Sequence, residues 1–469
     1  MKSKSRTFWA NLFYPTRIFT SVLVAFLVGA VIASFLPFNL EVNRNPVYLF
    51  IGLGIIFSIF LNFIFKNRYL ALIGFCLLSS SASIAYYDNF DRYQSKPEIP
   101  EEDIVGKIVS RPVSDLKDQT FVVSITNYDR RKLAVRTSII PEYQYGDLLT
   151  ISGKLLKTKE QATRYSQKLH HDLVPFSVDF PEIELQTTSN KTAANLFFRT
   201  SYNFVNHFEN SLNQILTEPH SSLAAGLILG IKRNIPDSLM NSFQTVGLTH
   251  IIALSGYNIS VILVIFTSFL VVYLGRKKIF FYGIFFIIFF VFITGASQSI
   301  VRAAIVSILL LFARTIGRKA DQANLILFSA FIMVLFNPYV ITKDIGFQLS
   351  FSAFAGLVYL SEPIKSFLEK RKIPGFISNP LSETLSAQLA VLPLIFFYFR
   401  QVSLIAPISN ILVLWTIPLA MFLSFVSGFV GLFSVTIGRY VAFLAWPCLE
   451  YIIKITEFLS KLPGAAIQI

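Results

Sequence analysis

The chain has 469 residues, 54% of them hydrophobic, with 48 Phe and a formal net charge of +14. A mean hydropathy of +0.59 excludes an ordinary soluble enzyme, because the apolar residues fall in runs of about 17–25, the length a helix needs to cross a bilayer. The positive charge is not spread as a nucleic-acid binder would spread it: residues 96–192 carry 14 Lys/Arg against 14 Asp/Glu, leaving 27 against 13 elsewhere. That excess sits in short connections between apolar runs, as the positive-inside rule requires.

Three spans open the chain, Ile18–Phe38, Val47–Phe65 and Tyr69–Tyr87. The first follows Lys2, Lys4, Arg6 and Arg17 and is too long for a signal-peptide core, so it is expected to be an uncleaved anchor with a cytoplasmic N-terminus. Residues 1–90 form an N-terminal membrane domain on this reading. Three crossings put the next segment outside.

Residues 96–192 change character. Phe121, Val123 and Ile125 alternate with Thr120, Ser124 and Thr126, and Leu149, Ile151 and Leu155 repeat the pattern after a turn at Gly146-Asp147. Several short strands of this kind predict a small β-barrel or sandwich. Arg130, Arg131, Lys132 and Arg136 lie near Tyr128, a candidate group for holding phosphates beside a stacking ring; a solvated hairpin is the plainer alternative. Over 195–216, Phe198, Tyr202, Val205, Phe208 and Leu212 fall at helical spacing, which predicts an amphipathic helix on the membrane surface or packed on the β domain.

The second hydrophobic block, 220–469, holds spans near 248–274, 279–294, 299–315, 322–337, 345–361, 383–399, 407–434 and 440–460. With the first three they make eleven. Pro418 opens the option that 407–434 is two half-helices. Arg276-Lys277-Lys278, Arg314 with Arg318-Lys319, and Lys365 with Lys370-Arg371-Lys372 all fall on the cytoplasmic side of this register.

Soluble-enzyme signatures are missing. The five His are scattered, His170 and His171 being adjacent, and no H-E-x-x-H, C-x-x-C, P-loop or G-x-S-x-G occurs. Neither a catalytic centre nor a metal or cofactor site is expected, and Cys76 and Cys448 suggest only small apolar side chains. Polar groups within the apolar spans are the candidates instead, since such groups are costly in lipid and line paths or brace bundles. They are His250, Ser255 and Asn258 in Gly247–Asn258; Gln298 and Arg302; Asp344 and Gln348, one helical turn apart; Gln388; and Asn410.

These motifs resemble the ComEC competence proteins, the inner-membrane channel family of bacterial DNA uptake. Gly226-Leu-Ile-Leu-Gly230 followed by Gly247–Asn258 resembles the family's "GLILG" and "GLSHLLAISGLH" segments. Ser299-Ile-Val-Arg-Ala303, Asp344-Ile-Gly-Phe-Gln-Leu-Ser-Phe351 and Ala387-Gln-Leu-Ala-Val-Leu-Pro393 match three further motifs in family order. Tyr145–Lys154 is similar to part of the family's OB-like domain. Asn258 stands where the family usually has His, which removes a titratable group.

The resemblance implies a polytopic α-helical protein of the bacterial cytoplasmic membrane. It further implies an extracytoplasmic OB-like domain and inward passage of single-stranded DNA, without catalysis. Many members carry a metallo-β-lactamase-like domain, and the form without it is expected here. A separate DNA receptor, nuclease and cytoplasmic motor would then be partners, besides the strand and the lipids. Asp344 on the wall would repel phosphate unless Arg302 offsets it. A carrier for another solute, or an intramembrane enzyme using His250 and Asp344 on a lipid-linked substrate, are the alternatives.

Overall fold

The computed structural model describes residues 15–35, 68–95, 104–114, 118–126, 131–153, 156–157, 174, 176–187, 193–231, 234–252, 258, 278, 280–292, 294, 298–315 and 321–468. It is mostly helical, with one β domain inserted after the first helices.

Helices α1 (Pro15–Phe35) and α2 (Arg68–Ser95) pack together, Ser79 and Ser80 donating to the Val22 and Ala25 carbonyls. Of the expected opening spans, Val47–Phe65 lies outside the described residues. The β domain follows: β1 (Ile104–Ile108), β2 (Val113–Ser114), β3 (Asp118–Ile125), β4 (Lys132–Ser138), β5 (Leu148–Ser152), β6 (Leu156–Lys157), β7 (Phe176–Asp179) and β8 (Glu182–Thr187). Alternation in β3 has the expected consequence. Phe121, Val123 and Ile125 point inward and are buried with Leu133, Val135, Leu149 and Ile151.

The strands run β6-β7-β4-β3-β1-β5-β8, antiparallel throughout except for the parallel pair β4–β7. The chain leaving β5 reaches β6, which pairs with β7, while the chain leaving β7 enters β8, which pairs with β5. The sheet thereby curls towards closure. The predicted turn is present: Gly146 has φ 92, a left-handed geometry that glycine takes without strain, and the Asp147 carboxylate accepts from the Gln144 amide.

Helix α3 (Ala193–Ile215) occupies the predicted amphipathic segment. Part of its apolar face is covered by protein: Val205, Phe208 and Leu212 are buried in the main helical core, and Ser211 donates to the Gly428 carbonyl, while Leu196, Phe197 and Phe204 remain exposed. Its N-terminal half meets the β domain through Tyr145, whose ring contacts Phe198 and Tyr202. The helix therefore joins the two parts of the molecule.

Beyond it come α4 (His220–Leu229), α5 (Asp237–Thr245), α6 (Thr249–Ile252), α7 (Phe280–Phe292), α8 (Gln298–Thr315), α9 (Gln322–Phe336) and α10 (Val340–Lys343). These are followed by α11 (Ile345–Lys370), α12 (Gly375–Phe399), β9 (Gln401–Ser403), α13 (Ala406–Val413), α14 (Ile417–Gly431), α15 (Val435–Ser460) and β10 (Ala466–Gln468). The anticipated break in 407–434 is real, α13 and α14 meeting at a bend of 50°.

Helices stand where spans were expected, apart from Val47–Phe65 and most of 248–274, which lie outside the described residues. Length and apolarity sufficient to cross a bilayer are met, among the described residues, by Ile377–Phe399 and, if taken as one, by the bent α13–α14 pair. The apolar stretches in α1, α7, α8 and α9 are shorter. In α15, Glu450, Lys454 and Glu457 interrupt the apolar run.

Candidate functional site

The polar candidates of the apolar segments gather mainly at two places, each set by a short backbone irregularity. One is the N-terminus of α11. Asp344 caps that helix, its Oδ1 accepting from the Phe347 amide at 3.0 Å. Gln348, one turn on, donates from Nε2 to the Ile341 and Thr342 carbonyls at 3.2 and 3.0 Å, and its Oε1 accepts from the Tyr398 hydroxyl at 2.8 Å. Arg302 of α8 donates to the Gly346 carbonyl at 3.4 Å, and its guanidinium carbon lies 5.7 Å from the Phe351 ring centroid.

A cation at a helix N-terminus is opposed by the helix dipole. Asp344, within electrostatic reach of Arg302, offsets that opposition. Four helices, α8, α10, α11 and α12, thus contribute to one polar cluster. Tyr398 escaped the sequence reading because its hydroxyl is polar only at the tip of an apolar body.

α11 and α12 can run this close because of Gly356. A Cβ there would sit against the Ser386 carbonyl and 2.7 Å from the Ala390 Cβ. Gln388, two residues from Ser386, is therefore carried on another side of α12, where it is half-buried.

The second cluster surrounds the turn before α6. Gly247 has φ +75, and a Cβ on it would approach the Ala406 Cβ to 2.7 Å. Ser409 of α13 donates to the Val246 carbonyl at 2.7 Å, so α13 is clamped to this turn. His250 bonds through Nδ1 to the Gly247 carbonyl at 3.0 Å; its ring is exposed while Leu248, Ile251 and Ile252 around it are buried.

Asn410 is buried on α13, with no hydrogen-bond partner for Oδ1 among the described residues. Asn258 is buried and donates to the Leu227 and Ile251 carbonyls, both at 3.2 Å, so it ties α4 to α6. Ser255 lies outside the described residues. Gln298 begins α8, its side chain undescribed. His250 bonds within its own turn to the Gly247 carbonyl, while Asp344 caps α11 through the Phe347 amide.

A profile of the family described as competence protein matches residues 227–469. The chain belongs to the ComEC competence family. ComE operon protein 3 of Bacillus subtilis (strain 168) is similar, 28% identical over 211 residues, which are 44% of this chain and 26% of that protein. The aligned region thus spans about a quarter of the relative. No solved structure matches. The family match contains both polar clusters and stops short of the β domain and α3.

On the β domain, Tyr128 and Arg130 lie outside the described residues. Arg131 precedes β4, Lys132 opens it, and Arg136 projects outward from it. Cross-strand register sets Lys107, Ser124 and Lys132 side by side across β1, β3 and β4, with Thr120 beside Arg136. Arg136 donates from Nε to the Asp118 carboxylate at 2.9 Å.

Sequence reading missed the junction between the β domain and the helices. Arg111, three residues past β1, bonds to Asn206 and pairs with Glu209 of α3 at 3.4 Å, and Asn234 donates to the same carboxylate at 3.4 Å. His220 was also passed over. Its Nε2 lies 2.8 Å from Glu450, against the Trp446 ring. Both were invisible because their partners lie 98 and 230 residues away.

Proposed function

We propose that this chain passes single-stranded DNA inward across the cytoplasmic membrane as part of competence, its helical domain forming the passage and its β domain receiving the strand. The observation that carries the reading is the polar cluster of Arg302, Asp344, Gln348 and Tyr398 at the meeting of four helices, within the region that matches the family. A passage for a polyanion needs hydrogen-bonding walls and a cation more than a reacting centre. Arg302 supplies the cation, and Asp344 is engaged in capping α11, which tempers its repulsion of phosphate. His250 and Asn410, around the clamped turn, are further wall positions; Asn258 braces α4 against α6.

The outer surface supports a multi-pass membrane setting. Phe281, Phe336, Phe397, Phe433 and Phe443 are 71%, 78%, 74%, 79% and 74% exposed. A soluble monomer rarely exposes so many large aromatic side chains to this extent. On this reading the helices cross eleven times, shorter ones being accommodated by local thinning of the bilayer. The N-terminus is then cytoplasmic and the β domain extracytoplasmic. The order β7-β4-β3-β1-β5, with its one parallel pair, fits an OB-like barrel, in which the outer face of the second and third strands takes oligonucleotides. Those strands are β3 and β4 here.

No catalysis by this chain is required; a receptor, a nuclease for the second strand and a cytoplasmic motor would be separate partners. An enzyme acting on a lipid-linked substrate would need His250 and Asp344 to converge on one cavity. The test is internalisation of labelled DNA by cells lacking the gene and by cells carrying wild type or Arg302→Ala. Loss in the deletion with restoration by wild type supports the assignment. Unchanged uptake in the deletion overturns it, and full uptake with Arg302→Ala removes only that residue's role.

A further inference from the structure

One side chain on the barrel is costly in two ways at once. Phe180, in the turn between β7 and β8, is 58% exposed and has φ 49. A left-handed backbone disfavours any residue with a Cβ, bulky ones most, so turns of this shape usually take Gly, Asn or Asp. Burial does not repay that strain, because the ring faces solvent. Its backbone is nevertheless held in place, the Phe180 amide donating to the Arg136 carbonyl at 2.6 Å.

The neighbours of the ring are informative. The Arg136 guanidinium carbon stands 5.7 Å from its centroid. Arg136 belongs to the outward face of β4 on which Lys132 also sits, in register with Lys107 through Ser124. The strand directions place the ends of β1, β4 and β7 at one end of the barrel. Phe180 is therefore at the same end as Arg111 and Tyr145, which meet α3.

We propose that Phe180, with Arg136 over it, is a base-stacking platform for a single-stranded nucleic acid lying across β3 and β4. It would hold one base at the barrel end nearest the helical domain. This deepens the DNA-passage reading and rests on it. Charge complementarity chooses the occupant: Lys107 and Lys132, in register through Ser124, with Arg136 four residues further along β4, suit a phosphate backbone, and an exposed ring suits any base, since stacking is sequence-tolerant. Asp118 accepts from Arg136 Nε, so a phosphate would compete with that carboxylate for the cation. A lipid surface is the competing occupant, because Ile140 is exposed at the same end.

The test uses the full chain in lipid nanodiscs with two fluorescent probes, an oligothymidylate and an abasic strand of equal length. Wild type is expected to hold the base-bearing strand at least about fivefold tighter, the lower end for one stacked base. Phe180→Ala is expected to abolish that preference and leave abasic binding unchanged, while Phe180→Trp keeps the preference. Phe180→Gly, free of backbone strain, should match Phe180→Ala if the ring is what matters.

A preference that survives both small substitutions overturns the platform and leaves the DNA reading intact. Failure of the wild type to bind either strand overturns both. If the fluorescence added by Phe180→Trp is quenched by brominated lipid and untouched by oligonucleotide, the ring is a membrane anchor and the platform is refuted.

Discussion

Replacing Arg111 by Ala should loosen the attachment of the barrel to α3. The pair is well shielded, with side-chain exposures of 16% for Arg111 and 6% for Glu209. Removing one partner of a buried pair typically costs about 3–5 kcal/mol, because it strands the other charge. The lower end applies, since Arg111 keeps some contact with water and Asn234 still donates to Glu209.

About 3 kcal/mol corresponds to roughly a hundredfold change in an opening equilibrium. Hydrogen exchange in the full chain reads this directly: amides over 143–149 and 198–206 should exchange about a hundredfold faster in Arg111→Ala, while the α14–α15 core is unchanged. The decisive arm is Arg111→Ala with Glu209→Gln. If a stranded carboxylate causes the loss, neutralising it should restore much of the protection. A double variant as loose as, or looser than, Arg111→Ala would refute that explanation and assign the effect to lost packing.

Three shorter predictions follow from other parts of the molecule. Burial pushes the Tyr202 phenol up to about 12, with Tyr145 raising it further and Arg111 opposing; the folded state therefore keeps a proton that the unfolded chain loses near 10. Stability should fall as pH rises from about 10 to 12, and Tyr202→Phe should flatten that fall in a melting-temperature series. Gly356→Leu should separate α11 from α12, costing at least about 1–3 kcal/mol by overpacking; a melting temperature equal to wild type would contradict the close approach. Asp118→Asn removes a carboxylate competing for Arg136, so single-strand binding should strengthen and its salt dependence steepen slightly, as measured by anisotropy at several salt concentrations.

The contrast between the two polar clusters shows how far a sequence can be read. The spacing of Asp344 and Gln348 already placed them one turn apart on a helix, because helical periodicity is local. Their partners, Tyr398, Gly346 and the Ile341 and Thr342 carbonyls, come from chain reversals that spacing does not encode. The alternation in β3 likewise announced which residues would be buried, since strand faces alternate regardless of context. It said nothing of β4 running parallel to β7. Phe180 went unnoticed for a related reason: neither its left-handed backbone nor its exposure is a property of the residue type.

What the sequence determined by itself was composition-level and local. It pointed to an apolar helical chain interrupted by a β domain, left a break near Pro418 as an option, and held a set of ordered motifs resembling one family. Tertiary structure alone decided which polar side chains share a cluster, that α3 buries Val205, Phe208 and Leu212 in the helical core, and that Asn258 braces helices. The physical reason is that side-chain periodicity comes from the backbone, whereas partners in a polar cluster come from packing between segments that are from tens to more than a hundred residues apart.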